Sequence, residues 1–183
     1  MRFAWTFLPV LGAPLAHAPV LRFDLLRTLK RPLDGGRSLR GERIFGDNKT
    51  WRGALVMTAG TVVASAGLRR MGWYERRLPP SVREAGAVDV GLRLGLASVV
   101  GELPNSFAKR RLGIAPGTQR RSATGVLVSL IDQADWVPTA ALLLRPVHRL
   151  TKREVAQVAA IVTAIHLPIN VVGYAVGART SPL

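Results

Sequence analysis

Ile131-Asp132-Gln133-Ala134-Asp135-Trp136 places two carboxylates three residues apart inside an apolar run extending from Ala123 to Leu144. At helical spacing, residues i and i+3 share a face. A carboxylate within a segment of membrane-spanning length is costly unless it faces water or a partner. Two on one face point to a cation site, with Mg²⁺ the first candidate because all-oxygen ligands suit it. The plainer alternative is a pair of helix-packing or loop acids at a helix break, which Pro138 permits.

The surrounding composition favours a membrane setting. Residues 1–183 have the length of one domain. Hydrophobic residues make up 48% and the net charge is +15, while the mean hydropathy is positive, at +0.20. Apolar segments joined by basic loops produce this combination, and a soluble globule rarely does. Such a basic excess must meet an anion: phospholipid headgroups, a nucleotide or nucleic acid. Cysteine is absent, which excludes disulfides and thiolate metal sites. Trp5, Trp51, Trp73 and Trp136 fall near the edges of apolar segments, where interfacial anchors sit.

Five apolar segments follow one another. Phe3 to Phe23 carries only His17 and the terminal Arg22 as ionisable groups, and about 20 residues suffice to span the hydrocarbon core. A cleaved signal peptide is the rival, with Arg2 as its basic start and Ala16-His17-Ala18 as its site; Pro19 directly after that site argues against it. Gly53 to Leu68 is short for a span, but Arg69 and Arg70 could snorkel and Trp51 and Trp73 could anchor its ends. Ala85 to Leu103 is less hydrophobic; Asp89 and Arg93 can pair along one helix face, and small residues suit close helix packing. An amphipathic helix lying on the bilayer is its alternative. The fourth segment holds the aspartates. The fifth, Val155 to Val176, contains His166, Pro168 and Asn170, which are expected to face the bundle; a lone buried histidine is more often a packing residue than a ligand.

Basic residues orient this arrangement. The 22–52 and 104–122 loops share one side and carry fourteen Lys or Arg, against nine in the remaining loops. The positive-inside tendency places the first two loops in the cytoplasm. The expected fold is therefore an all-α, multi-pass cell-membrane protein of about five transmembrane helices, with two basic cytoplasmic loops.

The 22–52 loop interleaves glycines with basic residues. Glycine turns let backbone N–H groups approach an anion, and Arg43, Lys49 and Arg52 can grip phosphate oxygens. Lys109, Arg110 and Arg111 add a second cationic cluster. Basic clamps plus a metal at Asp132 and Asp135 suit phosphoryl or nucleotidyl transfer, whose transition state spreads negative charge over oxygens. No G-x-x-x-x-G-K-[ST] loop occurs, and no Ser-His-Asp or Cys-His arrangement is evident.

Asp34-Gly35-Gly36 followed by Arg37-Ser38-Leu39-Arg40-Gly41-Glu42-Arg43-Ile44-Phe45-Gly46-Asp47-Asn48-Lys49-Thr50-Trp51-Arg52-Gly53 resembles the signature loop of the CDP-archaeol synthase family. Gly101-Glu102-Leu103-Pro104-Asn105-Ser106-Phe107-Ala108-Lys109-Arg110-Arg111-Leu112-Gly113 resembles its second motif, Asp132-Gln133-Ala134-Asp135 its third, and His166 through Gly177 its last helix. The resemblance implies an integral membrane enzyme that uses CTP, a lipid phosphate and Mg²⁺ to make a CDP-lipid and pyrophosphate. It implies Asp132, Asp135 and Glu102 as metal ligands, and Asp132, Asp135 and Lys109 at the catalytic centre. Lys49, Arg52, Lys109, Arg110 and Arg111 would hold phosphates, Arg43 would assist in the signature loop, and Asp34, Asp47, Asn48, Asn105 and Ser106 would shape the nucleotide pocket. The lipid stays open among a diether phosphate, a phosphatidic-acid-like phosphate and a polyprenyl phosphate, and oligomeric state stays open too.

Two rival classes remain at this level. A non-enzymatic membrane protein could grip anionic headgroups through the same loops, and a lipid phosphatase would need no CTP. Nucleic-acid binding is poorly supported, because aromatics are not interleaved with the basic clusters.

Overall fold

The computed structural model describes the backbone of residues 2–114 and 132–175, and side chains within 2–114 and 132–165. The chain opens with a 3-10 helical segment, Arg2–Leu11, which continues into α1, Gly12–Arg22. A loop with a two-stranded hairpin follows: β1, Ser38–Leu39, pairs antiparallel with β2, Glu42–Arg43. Then come α2, Trp51–Arg69, the short α3, Gly72–Glu75, and α4, Pro80–Glu84. The long α5, Ala87–Arg111, precedes α6, Val137–Leu143, and α7, Lys152–Ala175. The protein is mostly helical, and the hairpin is the one amendment to the all-α expectation among the described residues. Its tip is dictated locally: Arg40 and Gly41 both take positive φ, 54° and 83°, the geometry of a type I′ turn.

Close approaches at small residues give the helix directions. A Cβ added to Gly91 would lie 2.8 Å from the Val62 Cα, and one on Gly95 would lie 2.7 Å from the Thr58 Cα. Rising numbers on α5 thus meet falling numbers on α2, so the two run antiparallel. Gly12 meets Gly60 and Ala64, while His17 lies over Gly53, so α1 is also antiparallel to α2. Gly101 abuts Trp136, and Arg93 Nη1 donates to the Leu143 carbonyl at 2.8 Å, so α6 runs back along α5. The C-terminal halves of α1 and α5 and the starts of α2 and α6 therefore share one end of the bundle.

The outer faces are apolar where the inner ones are small. Val88, Leu92, Leu96 and Val100 recur every four residues on α5 and are all exposed, as are Leu55 and Val63 on α2 and Leu15 and Leu21 on α1. This reverses the soluble pattern and suits a lipid-facing surface. Arg2–Arg22 is the one helical stretch among the described residues long and apolar enough to cross a membrane. The expected count of five spans is therefore not reproduced by these helices. The second and third expected segments form α2 and α5, but their contact faces are built from Gly, Ser and Thr. The fourth expected segment lies outside the described residues up to Ile131, and so do the side chains of His166, Pro168 and Asn170.

Several local expectations change. α5 does not end at Leu103; it runs through Pro104 to Arg111. Proline forfeits one intrahelical bond, but α5 is held on both sides, by α2 at Gly95 and by α6 at Gly101. Asp132 and Asp135 do not sit on one unbroken helix: residues 132–134 are helical, 135–136 turn, and α6 restarts with Pro138 in its first turn. Trp136 is not an interfacial anchor but a core residue, 6.0 Å from Phe7 between ring centroids. Arg69 does not snorkel; it pairs with Glu75 and donates to the Val82 carbonyl at 3.0 Å. The expected Asp89–Arg93 pair is present at 2.8 Å. At the opposite end from Asp132, Trp5 and Trp73 meet edge to face with the Arg77 guanidinium over both rings.

Gly95→Val should force α5 off α2. Its expected cost is about 1–3 kcal/mol, against about 0.5 kcal/mol or less for Leu96→Val on the outer face. Thermal unfolding in detergent checks the difference; equal midpoints for the two variants would refute the close-packed interface.

Candidate functional site

The shared end of the bundle gathers most of the polar residues named from the sequence. Glu102, Asn105 and Lys109 stand at i, i+3 and i+7 on α5, which places them on one helix face. Across from them lie Asp132 and Asp135, just ahead of α6. The Asn105 Nδ2 donates to Asp132 Oδ1 and, at 2.9 Å, to Asp135 Oδ2. Carboxylates only accept hydrogen bonds, so the amide must present its nitrogen. One side chain thus bridges the two carboxyl groups. The Lys109 ammonium pairs with the other oxygen of Asp132, and Lys49 pairs with Glu102. Glu102 and Lys49 also lie within electrostatic range of Asp135.

Three buried polar atoms of this stretch have no hydrogen-bond partner among the described residues: Asp135 Oδ1 and both amide atoms of Gln133. For a carboxylate oxygen this is a costly state. The other oxygens of the pair carry single bonds and retain acceptor capacity. This donor set fits a hard divalent cation, which is commonly held by one or two carboxylates with substrate phosphates completing its shell. Glu102 does not join them as the expected third ligand: among the described residues no group of three His, Asp or Glu side chains is close enough to hold a metal. Its carboxylate is paired with Lys49 instead.

The signature loop is a folded frame around Asp34. Its carboxylate is fully buried. It accepts from Gly36 N at 2.9 Å, Phe45 N at 3.1 Å, Gly46 N at 3.4 Å and Arg43 Nη2 at 2.7 Å. Desolvation pushes this acid upward, but the bonds from Phe45, Arg43, Gly36 and Gly46 outweigh it and hold it below its ordinary range. Arg43 also pairs with Asp47. Arg111 donates to the carbonyls of Leu39, Glu42 and Arg43 and lies over the Phe107 ring, which pins the hairpin to the end of α5. The loop closes where Trp51 N donates to the Arg31 carbonyl at 2.9 Å and Thr50 caps α2 by accepting from Gly53 N at 3.1 Å.

The expected phosphate-binding cations therefore divide. Lys49 and Lys109 face the acids. Arg52 is buried, donating to Asp24 at 2.7 Å and to the Leu25 carbonyl at 3.0 Å; Arg110 is buried and bonded to the Ile114 carbonyl; Arg111 grips the hairpin. These three arginines, and Arg43 on Asp34 and Asp47, have protein partners in place of the open phosphate-facing position expected of them. Asp47 and Asn48 are exposed at the loop surface, and Ser106 is buried beside the α5 face. His17, absent from the expected site, lies within electrostatic range of Lys49, Arg52 and Glu102; the signal for it was its position as the lone ionisable residue between Phe3 and Leu21.

Because Asp34 is held low, its contribution to loop stability is present above the ordinary aspartate range and is lost as pH falls through the depressed value. Arg37 and Arg40 are already at the surface, so Asp34→Ala should act by loosening the loop backbone and should speed tryptic cleavage after them at neutral pH. Equal cleavage rates would show that Asp34 does not hold the loop.

Comparison with known proteins adds the family. The family model described as CarS-like CDP-archaeol synthase matches residues 18–182. A CDP-archaeol synthase of Halobacterium salinarum is 33% identical over 165 residues, covering 83% of each chain. One from Pyrococcus furiosus is 35% identical over 153 residues, covering 82% of this chain and 83% of its own. A solved structure of an intramembrane enzyme for archaeal membrane lipid biosynthesis superposes with a TM-score of 0.65 at 28% identity, covering 91% of both chains. With a family match over nearly all of its length, and with the acids, amide and lysines of the matched motifs drawn together at one end of its bundle, this chain belongs to the CDP-archaeol synthase family.

Proposed function

We propose that the protein transfers a cytidylyl group from CTP to a lipid phosphate in the membrane, giving a CDP-lipid and pyrophosphate. The observation that carries this reading is the network in which Asn105 spans Asp132 and Asp135 while Lys109 pairs with Asp132. An oxygen of the lipid phosphate attacks the α-phosphorus of CTP, and the bond from that phosphorus to the bridging β-phosphate oxygen breaks. No protein nucleophile is needed, so the task is positioning and charge stabilisation. Lys109 and Lys49, each already beside a carboxylate, are the ammonium groups within reach of incoming phosphates. Asn105 holds the aspartates in register while those phosphates enter.

Asp132 and Asp135 are the residues that would hold Mg²⁺, supported by the unpartnered Asp135 oxygen. The ion supplies charge neutralisation at the triphosphate and a template for its orientation. We further place the protein as a multi-pass cell-membrane enzyme with this end of the bundle in the cytoplasm. Support comes from the Lys and Arg residues gathered at that end, in the loop between α1 and α2 and in the last turn of α5, and from the supply of CTP on that side.

The test offers purified protein CTP and Mg²⁺ with an unsaturated diether phosphate, phosphatidic acid and a polyprenyl phosphate, and reads CDP-lipid and pyrophosphate. Product from one of them names the lipid. Asp132→Asn and Asp135→Asn should each lower kcat/KM by about a hundredfold or more. Binding to anionic vesicles without product from any lipid would instead favour a non-enzymatic lipid-binding protein.

A further inference from the structure

α1 ends in a turn that its sequence does not make easily. Asp24 takes φ 44° and Leu26 φ 53°, both left-handed, a region that helix ends usually fill with glycine. Backbone bonds close the turn: Phe23 N donates to the Pro19 carbonyl at 3.0 Å and Leu25 N to the Val20 carbonyl at 2.9 Å. α2 holds it as well. The buried Arg52 donates to the Asp24 carboxylate at 2.7 Å and to the Leu25 carbonyl at 3.0 Å. Asp24 is thereby committed to Arg52, while its apolar neighbours stay outside: Leu21 is 53% exposed, Phe23 68%, Leu25 49% and Leu26 50%.

Charge is one-sided at the same turn. Arg22, Arg27, Lys30 and Arg31 are the basic residues between Arg22 and Leu33, and Asp24 is the one acid. Arg27 lies 3.0 Å and Lys30 3.8 Å from its carboxylate, but Arg52 already neutralises that group, so both exposed cations keep surplus charge. Arg22 and Arg31 are exposed with no ion pair among the described residues. Arg2–Arg22 is long and apolar enough to cross a membrane, which brings Arg22 and the turn after it to headgroup depth. There, leucine and phenylalanine meet acyl chains while Arg and Lys reach phosphates. The exposed Leu55, Val63, Leu92 and Leu96 of α2 and α5 differ, because no unpaired cation lies within a helical turn of them. They fit hydrocarbon alone.

We propose that residues 21–31 form an interfacial clamp for an anionic phospholipid of the bilayer. Arg22, Arg27 and Lys30 hold its phosphate, and Phe23, Leu25 and Leu26 support the top of its acyl chains. The Asp24–Arg52 bond sets the shape of the clamp. A single phosphodiester charge suits it: the one acid present is taken by Arg52, so nothing there would hold the divalent cation that accompanies a nucleotide triphosphate.

The test reconstitutes the full chain in phosphatidylcholine vesicles containing phosphatidylglycerol brominated near the top of its acyl chains. Trp51 is the reporter. Its backbone N–H bonds to the Arg31 carbonyl, its side chain is exposed, and its signal is the part of the quenching lost in Trp51→Phe. At low salt, brominated phosphatidylglycerol should quench it with about fivefold or greater preference over equally brominated phosphatidylcholine, the worth of one cation at the membrane surface. High salt should shrink that preference. The triple variant Arg22→Gln, Arg27→Gln, Lys30→Gln should abolish it, while Arg70→Gln with Arg76→Gln, at the opposite end, should leave it intact. No preference in the native protein, an unchanged preference in the triple variant, or equal loss in the opposite-end pair would overturn the proposal. If the triple variant does not fold, Arg22→Gln alone decides, since it breaks no ion pair among the described residues; quenching equal to the native value then refutes the clamp. Phosphatidylglycerol carries no phosphate monoester to accept a cytidylyl group, so the outcome is independent of whether the protein makes CDP-lipid.

Discussion

The approach of α5 to α2 is the constraint from which the site follows. Gly91 and Gly95 admit the α2 backbone at distances no side chain would allow. Contact this close fixes the axial register of two long helices, because small surfaces leave few alternative seatings. With Gly95 seated on Thr58, Glu102 arrives over Lys49, and Asn105 and Lys109 follow one and two turns later on the same face. Gly101 performs the same service toward Trp136, which sets Asp135 within reach of Asn105. The polar chemistry is thus positioned by residues that have no polar side chain.

The cluster balances its charge in pairs. Lys49 answers Glu102, Lys109 answers Asp132, and Asn105 relieves the proximity of Asp132 and Asp135 without adding charge. Partly buried ions of one sign would otherwise weaken the bundle. In the proposed reaction such pairing would carry a cost, since each lysine would exchange a carboxylate for a phosphate. The unpartnered oxygen of Asp135 marks where the balance is incomplete.

Much of this was legible in the sequence, with limits that have physical causes. Asp132 and Asp135 announce themselves because acids in an apolar run demand an explanation, and Asp89 pairs with Arg93 because i, i+4 contacts are local. Lys49 and Glu102 are separated by 53 residues, and no local rule joins them. The run Lys109-Arg110-Arg111 reads as one cationic patch, yet consecutive helical residues point about 100° apart. Folding sends the first to Asp132, the second inward and the third to the hairpin carbonyls. Trp136 misleads for a similar reason: its place beside an apolar edge suits an interface, but the glycine opposite makes room for it inside. Pro104 suggests a helix end only as long as the helix is considered alone.

The antiparallel order of the helices has an electrostatic consequence of its own. The polar end collects the N-termini of α2 and α6 together with the C-terminal parts of α1 and α5. Peptide dipoles give a helix roughly half a positive charge at its start and half a negative charge at its finish. Where starts and finishes alternate, these partial charges largely cancel, and the backbone contributes little net field to this end of the bundle. Its potential is then governed by a handful of side-chain charges. Changing one of them alters the local field by a whole unit against a nearly neutral background, so members of this fold could retune their attraction for differently charged amphiphiles through single substitutions without disturbing the bundle.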